Sequence, residues 1–501
     1  MLPLDRDPLE APMNRSANVL DAVVVGAGPN GLTAAIALAD AGLDVLVLEA
    51  QATPGGSLRS AELTRPGYVH DVCAAVLPLT VGSPYLSTLP LGAYGVEWVH
   101  PEVPLAHPFD DGPPAVMARS LEATVDGLGR DGPAWRRLLR PLASDWDPLA
   151  RDLLAPFPIP TRPRQMLSFG PSALQSTRGL ARRRFREERT RGLLAGLAGH
   201  SFLPLERLGT TAFGLMLAAA GHAVGWPFVR GGSGRLADAL AAHLRTLGGR
   251  IVTDRRVDRL EELPPARTVL LDVTPRQFLR MAGPSLPPRY RRALERYRYG
   301  PAAFKVDWAL SEPIPWRDAD CARAGTVHLG GSMEEIARAE RTVWDGTSPE
   351  RPFVLLAQPS RFDPSRTPDS GHTAWAYAHV PHGDDTPVAE RIEAQVERFA
   401  PGFRDTIVDR SVLPPAALER RNANLVGGDI NGGSADLRQL FFRPTLRGYR
   451  TPLREVFLCS ASTPPGGGVH GMCGYHAARA ALRALGVPSR RSRLTGGPAG
   501  A

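Results

Sequence analysis

Residues Asp21 to Arg59, DAVVVGAGPNGLTAAIALADAGLDVLVLEAQATPGGSLR, constrain the fold more than any other part of the chain. The apolar run Ala22–Val25, rich in β-branched valine, suits a buried parallel strand. Gly26-x-Gly28-x-x-Gly31 follows, then strong helix formers up to Ala41. Gly42 ends the helix, Val45–Leu48 makes a second buried strand, and Glu49 closes it. Gly26 permits a tight turn, Gly28 lets backbone approach a pyrophosphate, and Gly31 lets helix pack closely on sheet. The free N–H groups of the new helix, with Pro29 and Asn30 in its first turn, then face phosphate. Glu49, 23 residues after Gly26, is placed to accept from a ribose. A bare GxGxxG is a weak signal; strand, glycines, helix, strand and acid in this order form a dinucleotide site.

A chain of 501 residues exceeds what one hydrophobic core supports, so more than one lobe is expected. The pattern divides it. Residues 1–18 form a loose tail, 19–77 a first nucleotide-binding segment, and 78–225 a largely helical cap. Residues 226–283 return to a βαβ pattern, with a helix over Arg235–Leu247 and strands at Arg250–Thr253, Val257 and Thr268–Val273. Residues 284–439 form a mixed-sheet substrate domain with strands in Ala303–Leu310, Phe353–Ala357 and Thr373–Val380. Residues 440–487 complete the first domain through the strand Val456–Cys459 and the helix Tyr475–Leu485, and 488–501 form a second tail. The fold class is therefore α/β, with a discontinuous Rossmann-type domain.

The net charge of +8 comes from scattered arginines, and no aromatic-interleaved basic repeat supports nucleic acid as a partner. The dense run Arg178 to Arg191 fits a solvated helix face, with lipid headgroups as the alternative. Leu208 to Val229 carries no charge over 22 residues, but its glycines and Pro227 favour a buried helix or chamber wall over a membrane span. Four separated cysteines without CxxC suit a reducing cytoplasmic compartment and no dithiol relay.

Among chemistry-bearing residues, Lys305 is the single lysine, and strand alternation sets it on one face with Asp307. It is a candidate catalytic amine or the partner of a structural ion pair. His470, in the glycine-rich GGGVHG segment after the last strand, is a candidate proton carrier or a backbone-bonding loop residue. His379-x-x-His382 does not make a metal site, because Pro381 prevents both rings from sharing a helix face. Asp429–Asp436 lacks the bidentate glutamate of a calcium loop and is a turn. No metal is expected.

The N-terminal fingerprint with Glu49 and Gly55-Gly56, joined to the distant GGDINGGSADLRQLFFRPTLRGYRTPLREVFLCSASTPPGGGVHGMCGYHAARAAL, resembles the phytoene-dehydrogenase-related family of FAD-dependent oxidoreductases. Those enzymes have a glutathione-reductase-like FAD-binding Rossmann-type domain. The resemblance runs from about residue 20 to 486, and AFKVDWAL and WAYAHVP are similar to its pyridine-nucleotide-disulfide-oxidoreductase-domain subgroup. It implies FAD held by Gly26, Gly28, Pro29, Asn30, Gly31, Glu49, Ala50, Gly55, Gly56 and Arg59. It places Val257 by the adenine, Ser460 and Ala461 after the last strand, and Gly471-Met472 against the flavin. Two positions depart from the family pattern: Ser57 stands where many relatives carry arginine, and Ser460-Ala461 where many carry Gly-Asp or Gly-Glu. The implied chemistry is hydride removal from a C–H bond of an apolar, isoprenoid- or carotenoid-like substrate. With no CxxC and one dinucleotide fingerprint, oxygen or a quinone is the expected electron acceptor, and peripheral contact with a membrane stays open as the alternative use of the basic run. A flavin amine oxidase and a non-catalytic prenyl or lipid carrier of the same fold are the alternatives; intact glycines and Glu49 argue against the carrier.

Overall fold

The computed structural model describes residues 19–156, 160, 163–368 and 370–488. The expected tail 1–18, and the second tail beyond residue 488, lie outside the described residues. In chain order, the elements that position the site begin with β1 (Leu20–Val25), α1 (Pro29–Asp40), β2 (Val45–Leu48), β3 (Val103–His107) and β4 (Ala115–Met117). Next come α2 (Glu188–Gly199), α3 (Thr210–Val224), α4 (Gly234–Thr246), β5 (Arg250–Val252) and β6 (Ala266–Leu271). Strands β7 (Ala302–Leu310), β8 (Ala324–Leu329), β9 (Val354–Ala357) and β10 (His372–Val380) follow. The helix α5 (Ala389–Phe399), β11 (Ile407–Leu413), β12 (Val456–Leu458) and α6 (Met472–Leu485) complete the set.

The first sheet is parallel, in the order β12-β6-β1-β2-β5. Its register pairs Val25 with both Leu48 and Leu271, and Leu271 with Leu458. Gly26, Glu49, Asp272 and Cys459 therefore leave the sheet side by side at its carboxyl edge, where α/β sheets bind ligands. Both faces are covered, as a parallel sheet requires. Ala22 and Val24 pack with Leu32, Ile36 and α6, whereas Val23, Val25 and Leu271 pack with Phe278 and Met281. The helices α1 and α6 cross closely because Gly474 presents no side chain at the contact: a Cβ there would lie 1.9 Å from the Asn30 carbonyl oxygen.

The second sheet is mixed, in the order β11-β7-β10-β9-β8-β3-β4. All neighbours are antiparallel except β3 and β8. Alternation gives its two faces different jobs. The row Val306, Ala376, Leu356, Val327 is buried, with Ile392 and Val396 of α5 in the same core. The opposite rows, Lys305–Tyr377–Leu355–His328 and Asp307–Trp375–Ala357–Thr326, face the first domain and the cap. Two sequence expectations change here. The stretch 78–225, read as a helical cap, also supplies β3, which pairs with β8, and β4, which pairs with β3; these pairings were invisible because each strand is short and apolar. Val257 lies in an irregular segment rather than a strand, since β5 ends at Val252 and its backbone turns away to bond Glu49.

Leu208–Val229 is not one span: α3 covers Thr210–Val224, and among the described residues no helix is long and apolar enough to cross a membrane. Arg178 and Arg182 both reach the Glu334 carboxylate, so that basic run is an intramolecular ion-pair surface.

Candidate functional site

A cavity of about 410 Å³ runs from the carboxyl edge of the first sheet to the inner face of the second. Its first end is built from the glycine turn. Gly26 has φ +97°, and a Cβ on Gly31 would lie 2.0 Å from the Gly26 carbonyl oxygen, so both glycines are sterically required. A Cβ on Gly56 would meet the Gly28 Cα at 2.9 Å, so the two turns touch through bare backbone. Gly55 N–H donates to the Ala27 carbonyl at 2.8 Å and ties the turns together.

Glu49 organises this end. Its Oε2 accepts from the Ala27 N–H at 2.7 Å and its Oε1 from the Gln51 N–H at 2.9 Å, with Arg59 Nη2 at 3.5 Å from Oε1. A carboxylate has about four acceptor positions, so capacity is left for a ligand hydroxyl. Arg59 also donates to the Thr53 carbonyl at 2.7 Å. Gly26, Gly28, Pro29, Asn30, Glu49, Ala50, Gly56, Arg59, Val257, Ser460 and Ala461 line the cavity. Gly31 and Gly55 do not line it; they hold the turn from behind.

Asp272, which sequence reasoning missed, is the most unusual group at this end. Its carboxyl is buried, and Oδ2 accepts from the Gly31 N–H at 3.0 Å at the start of α1. Burial pushes it up to about 7; the Gly31 bond opposes this and Glu49 adds to it. Asn424 Nδ2 donates to the Asp272 carbonyl at 2.8 Å and brings a third segment to the same edge. The only sequence signal was an acid directly after a buried strand, the same signal that marked Glu49.

The candidates His470 and Lys305 are placed elsewhere. His470 is buried, its Nδ1 accepts from the Met472 N–H at 3.0 Å, and its carbonyl accepts from Ser83 Oγ at 2.7 Å. It caps α6, and burial holds it down at about 4. Gly468 and Val469 line the cavity, whereas His470, Gly471 and Met472 do not. The bond engages the Met472 N–H. Lys305 is also buried; its Nζ bonds Asp307 and lies 5.3 Å from the centre of the Trp375 ring. This is the structural pair, and it supports Trp375 from behind instead of reaching the cavity. His70, Asp71 and Arg366 extend the buried charge system, with Arg366 bonding Asp71 and Asp363, each at 2.9 Å. His379 bonds Glu340 and His382 bonds the Gly300 carbonyl, so the pair is divided, and no metal-holding group occurs among the described residues.

The far end is apolar. Trp375 and Tyr377 alternate along β10 and stack at 6.1 Å, and Leu217, Trp226 and Leu355 complete the walls. Thr326 Oγ1 accepts from Trp226 Nε1 at 3.1 Å. The alternation of WAYAHV was legible; which face met the cavity was not.

This combination, a parallel sheet with a glycine turn and terminal acid opening onto a second sheet, defines a two-domain architecture built on a Rossmann-like domain. The NAD(P)-binding Rossmann-like domain family matches residues 24–89. Pyridine nucleotide-disulfide oxidoreductase domain-containing protein 2 of Mus musculus is 25% identical, covering 93% of this chain and 94% of its own. The neurosporene-forming phytoene desaturase of Rhodobacter capsulatus is 24% identical, covering 90% and 92%. An oxidoreductase from Methanosarcina mazei shares the fold, with a TM-score of 0.63 at 15% identity over 93% of this chain and 100% of that one. Over nine-tenths of its length the chain is thus similar, at about a quarter identity, to a pyridine nucleotide-disulfide oxidoreductase domain-containing protein and a phytoene desaturase.

Proposed function

We propose that the protein is an FAD-dependent dehydrogenase or desaturase that takes a hydride from an apolar, isoprenoid-like substrate. The observation carrying this reading is the continuity of one cavity, polar and glycine-lined at one end and aromatic at the other. The residues fit the cofactor. Asn30 Oδ1 is buried without a partner in the first turn of α1, and the bare contact of Gly28 with Gly56 leaves no side chain over the turn. Glu49 would hold the adenosine ribose, the start of α1 the pyrophosphate, and Val257 the adenine side, with Ser460, Ala461, Gly468 and Val469 toward the ring. FAD bound there supplies a two-electron acceptor for the hydride.

The chain's own residues do the rest. Trp226, Leu217, Leu355 and Tyr377 exclude water and orient an apolar skeleton. The Lys305–Asp307 pair fixes the Trp375 ring that forms the floor. Electrons would leave to oxygen or a quinone. A peripheral membrane contact through Leu174 and Leu208 belongs to the same proposal: they are 53% and 63% exposed and adjoin through the Gly209 N–H to Leu174 carbonyl bond. The test is the visible spectrum of the purified protein, followed by anaerobic bleaching with polyenes, terpenoids and amines. Flavin bands bleached by polyenes or terpenoids are expected. No flavin band even after adding FAD overturns the enzyme reading, and bleaching by amines alone overturns the substrate class.

A further inference from the structure

The mechanism leaves unused a cluster of buried imidazoles beneath the apolar chamber. His107 of β3 and His328 of β8 lie one residue beyond the paired Ala106 and Val327, side by side on the inner face of the second sheet. Helix α2 lies directly on them because Gly192 and Gly196 present no side chains there, and Gly199 lies in the same way against Phe353. A Cβ on Gly196 would lie 2.7 Å from His328 Nδ1 and 3.2 Å from His107 Nδ1. At the end of α2, His200 lines the cavity, and its Nε2 is 3.2 Å from His328 Nε2. His379 stands close by, its ring 3.7 Å from that of Phe202, with its Nδ1 held by Glu340.

Three observations mark this as more than core packing. His107 Nδ1, His328 Nδ1 and His379 Nε2 are buried without hydrogen-bond partners. A buried polar atom left unpaired is destabilising, so a fold selected for stability alone would favour apolar residues here. Burial also holds His107 at about 4 and His200 at about 3, so both rings, including the His200 ring that lines the chamber, are neutral near pH 7. Finally, Phe202 has φ +56°, a costly conformation for a bulky residue, two positions after His200 in the turn that aims it.

We propose that the chamber's ligand carries a neutral oxygen function, a hydroxyl or carbonyl on an apolar isoprenoid-sized skeleton, and that His200 recognises it. The proposal rests on reading the chamber as the substrate site. A neutral imidazole both donates and accepts, and the His200–His328 bond leaves Nδ1 for the ligand. Either tautomer serves: Nδ1–H donates to a carbonyl, and bare Nδ1 accepts from a hydroxyl. Charged groups are disfavoured. The carboxylates lining the cavity are Glu49, Asp258 and Asp272, all at the dinucleotide end, so an ammonium finds no counter-ion in the chamber. A pure hydrocarbon would leave His200 without a partner.

The experiment compares geraniol with its deoxy hydrocarbon, 2,6-dimethylocta-2,6-diene. Binding to the protein as purified is read by quenching of tryptophan fluorescence, to which Trp226 and Trp375 in the chamber wall contribute. Flavin content is measured separately, so loss of the cofactor reading is distinguishable from loss of this one. Geraniol is expected to bind about tenfold more tightly than the hydrocarbon. His200→Phe reduces the preference to within about twofold, leaves hydrocarbon affinity within about twofold, and His200→Gln retains part of the preference. Equal affinities in the wild type, no geraniol binding, or a preference that survives His200→Phe overturns the proposal. The wild-type comparison stands even if a variant fails to fold.

Discussion

Asp272→Asn isolates the least expected group in the cradle. Asp272 is buried, and its carboxyl is raised by burial from the ordinary 3.8 to about 7. Below about pH 4 it is protonated in both folded and unfolded chains and contributes no pH dependence. Between about pH 4 and 7 the unfolded chain releases the proton while the folded chain keeps it. The folded state then binds more protons, so stability falls as pH rises. A difference of about three pH units at about 1.36 kcal/mol each makes the loss about 4 kcal/mol by pH 7. Asparagine can still accept from the Gly31 N–H, and it has no charge to bury. Wild type and variant are therefore expected to have similar thermal midpoints near pH 4, with the wild type falling progressively below the variant towards pH 8. Scanning fluorimetry across pH 4–8 measures this. FAD affinity at pH 8 should also rise in the variant, because an anion is removed from a pyrophosphate cradle. Parallel curves for the two proteins across that range would refute the reasoning.

Three other perturbations test separate parts of the structure. Glu49→Ala leaves the Ala27 and Gln51 N–H groups without their acceptor and removes the ribose partner; FAD dissociation measured by fluorescence should increase about 10–100-fold. Arg366→Met strands the Asp71 and Asp363 carboxylates, and denaturant unfolding should show a loss of about 3–5 kcal/mol. Gly474→Ala drives a methyl into the Asn30 carbonyl oxygen and forces α1 and α6 apart; a loss of at least about 2 kcal/mol is expected in the same assay, with weaker FAD retention because α1 carries the cradle.

The amino-acid sequence by itself determined the dinucleotide end. Strand, glycines, helix and Glu49 are contiguous, so each residue's placement follows from local geometry over fewer than thirty positions. It also determined that a strand and glycine-rich loop near residue 460 return to the same domain, and that β7 and β10 are strands with distinct faces. Tertiary structure alone decided the rest. Asp272 reaches the Gly31 N–H only because parallel register aligns Leu271 with Val25, a pairing between residues 246 positions apart. Tertiary packing places the His470 ring on the Met472 N–H at the start of α6 and encloses Lys305 with Asp307 and Trp375. His200 carried no sequence signal at all. It meets the chamber because three glycines in α2 let a helix settle onto a sheet face whose histidines come from two strands more than 200 residues apart. Local patterns encode backbone conformation; which side chains share a cavity depends on strand register and helix docking, and these are fixed only when the whole chain packs.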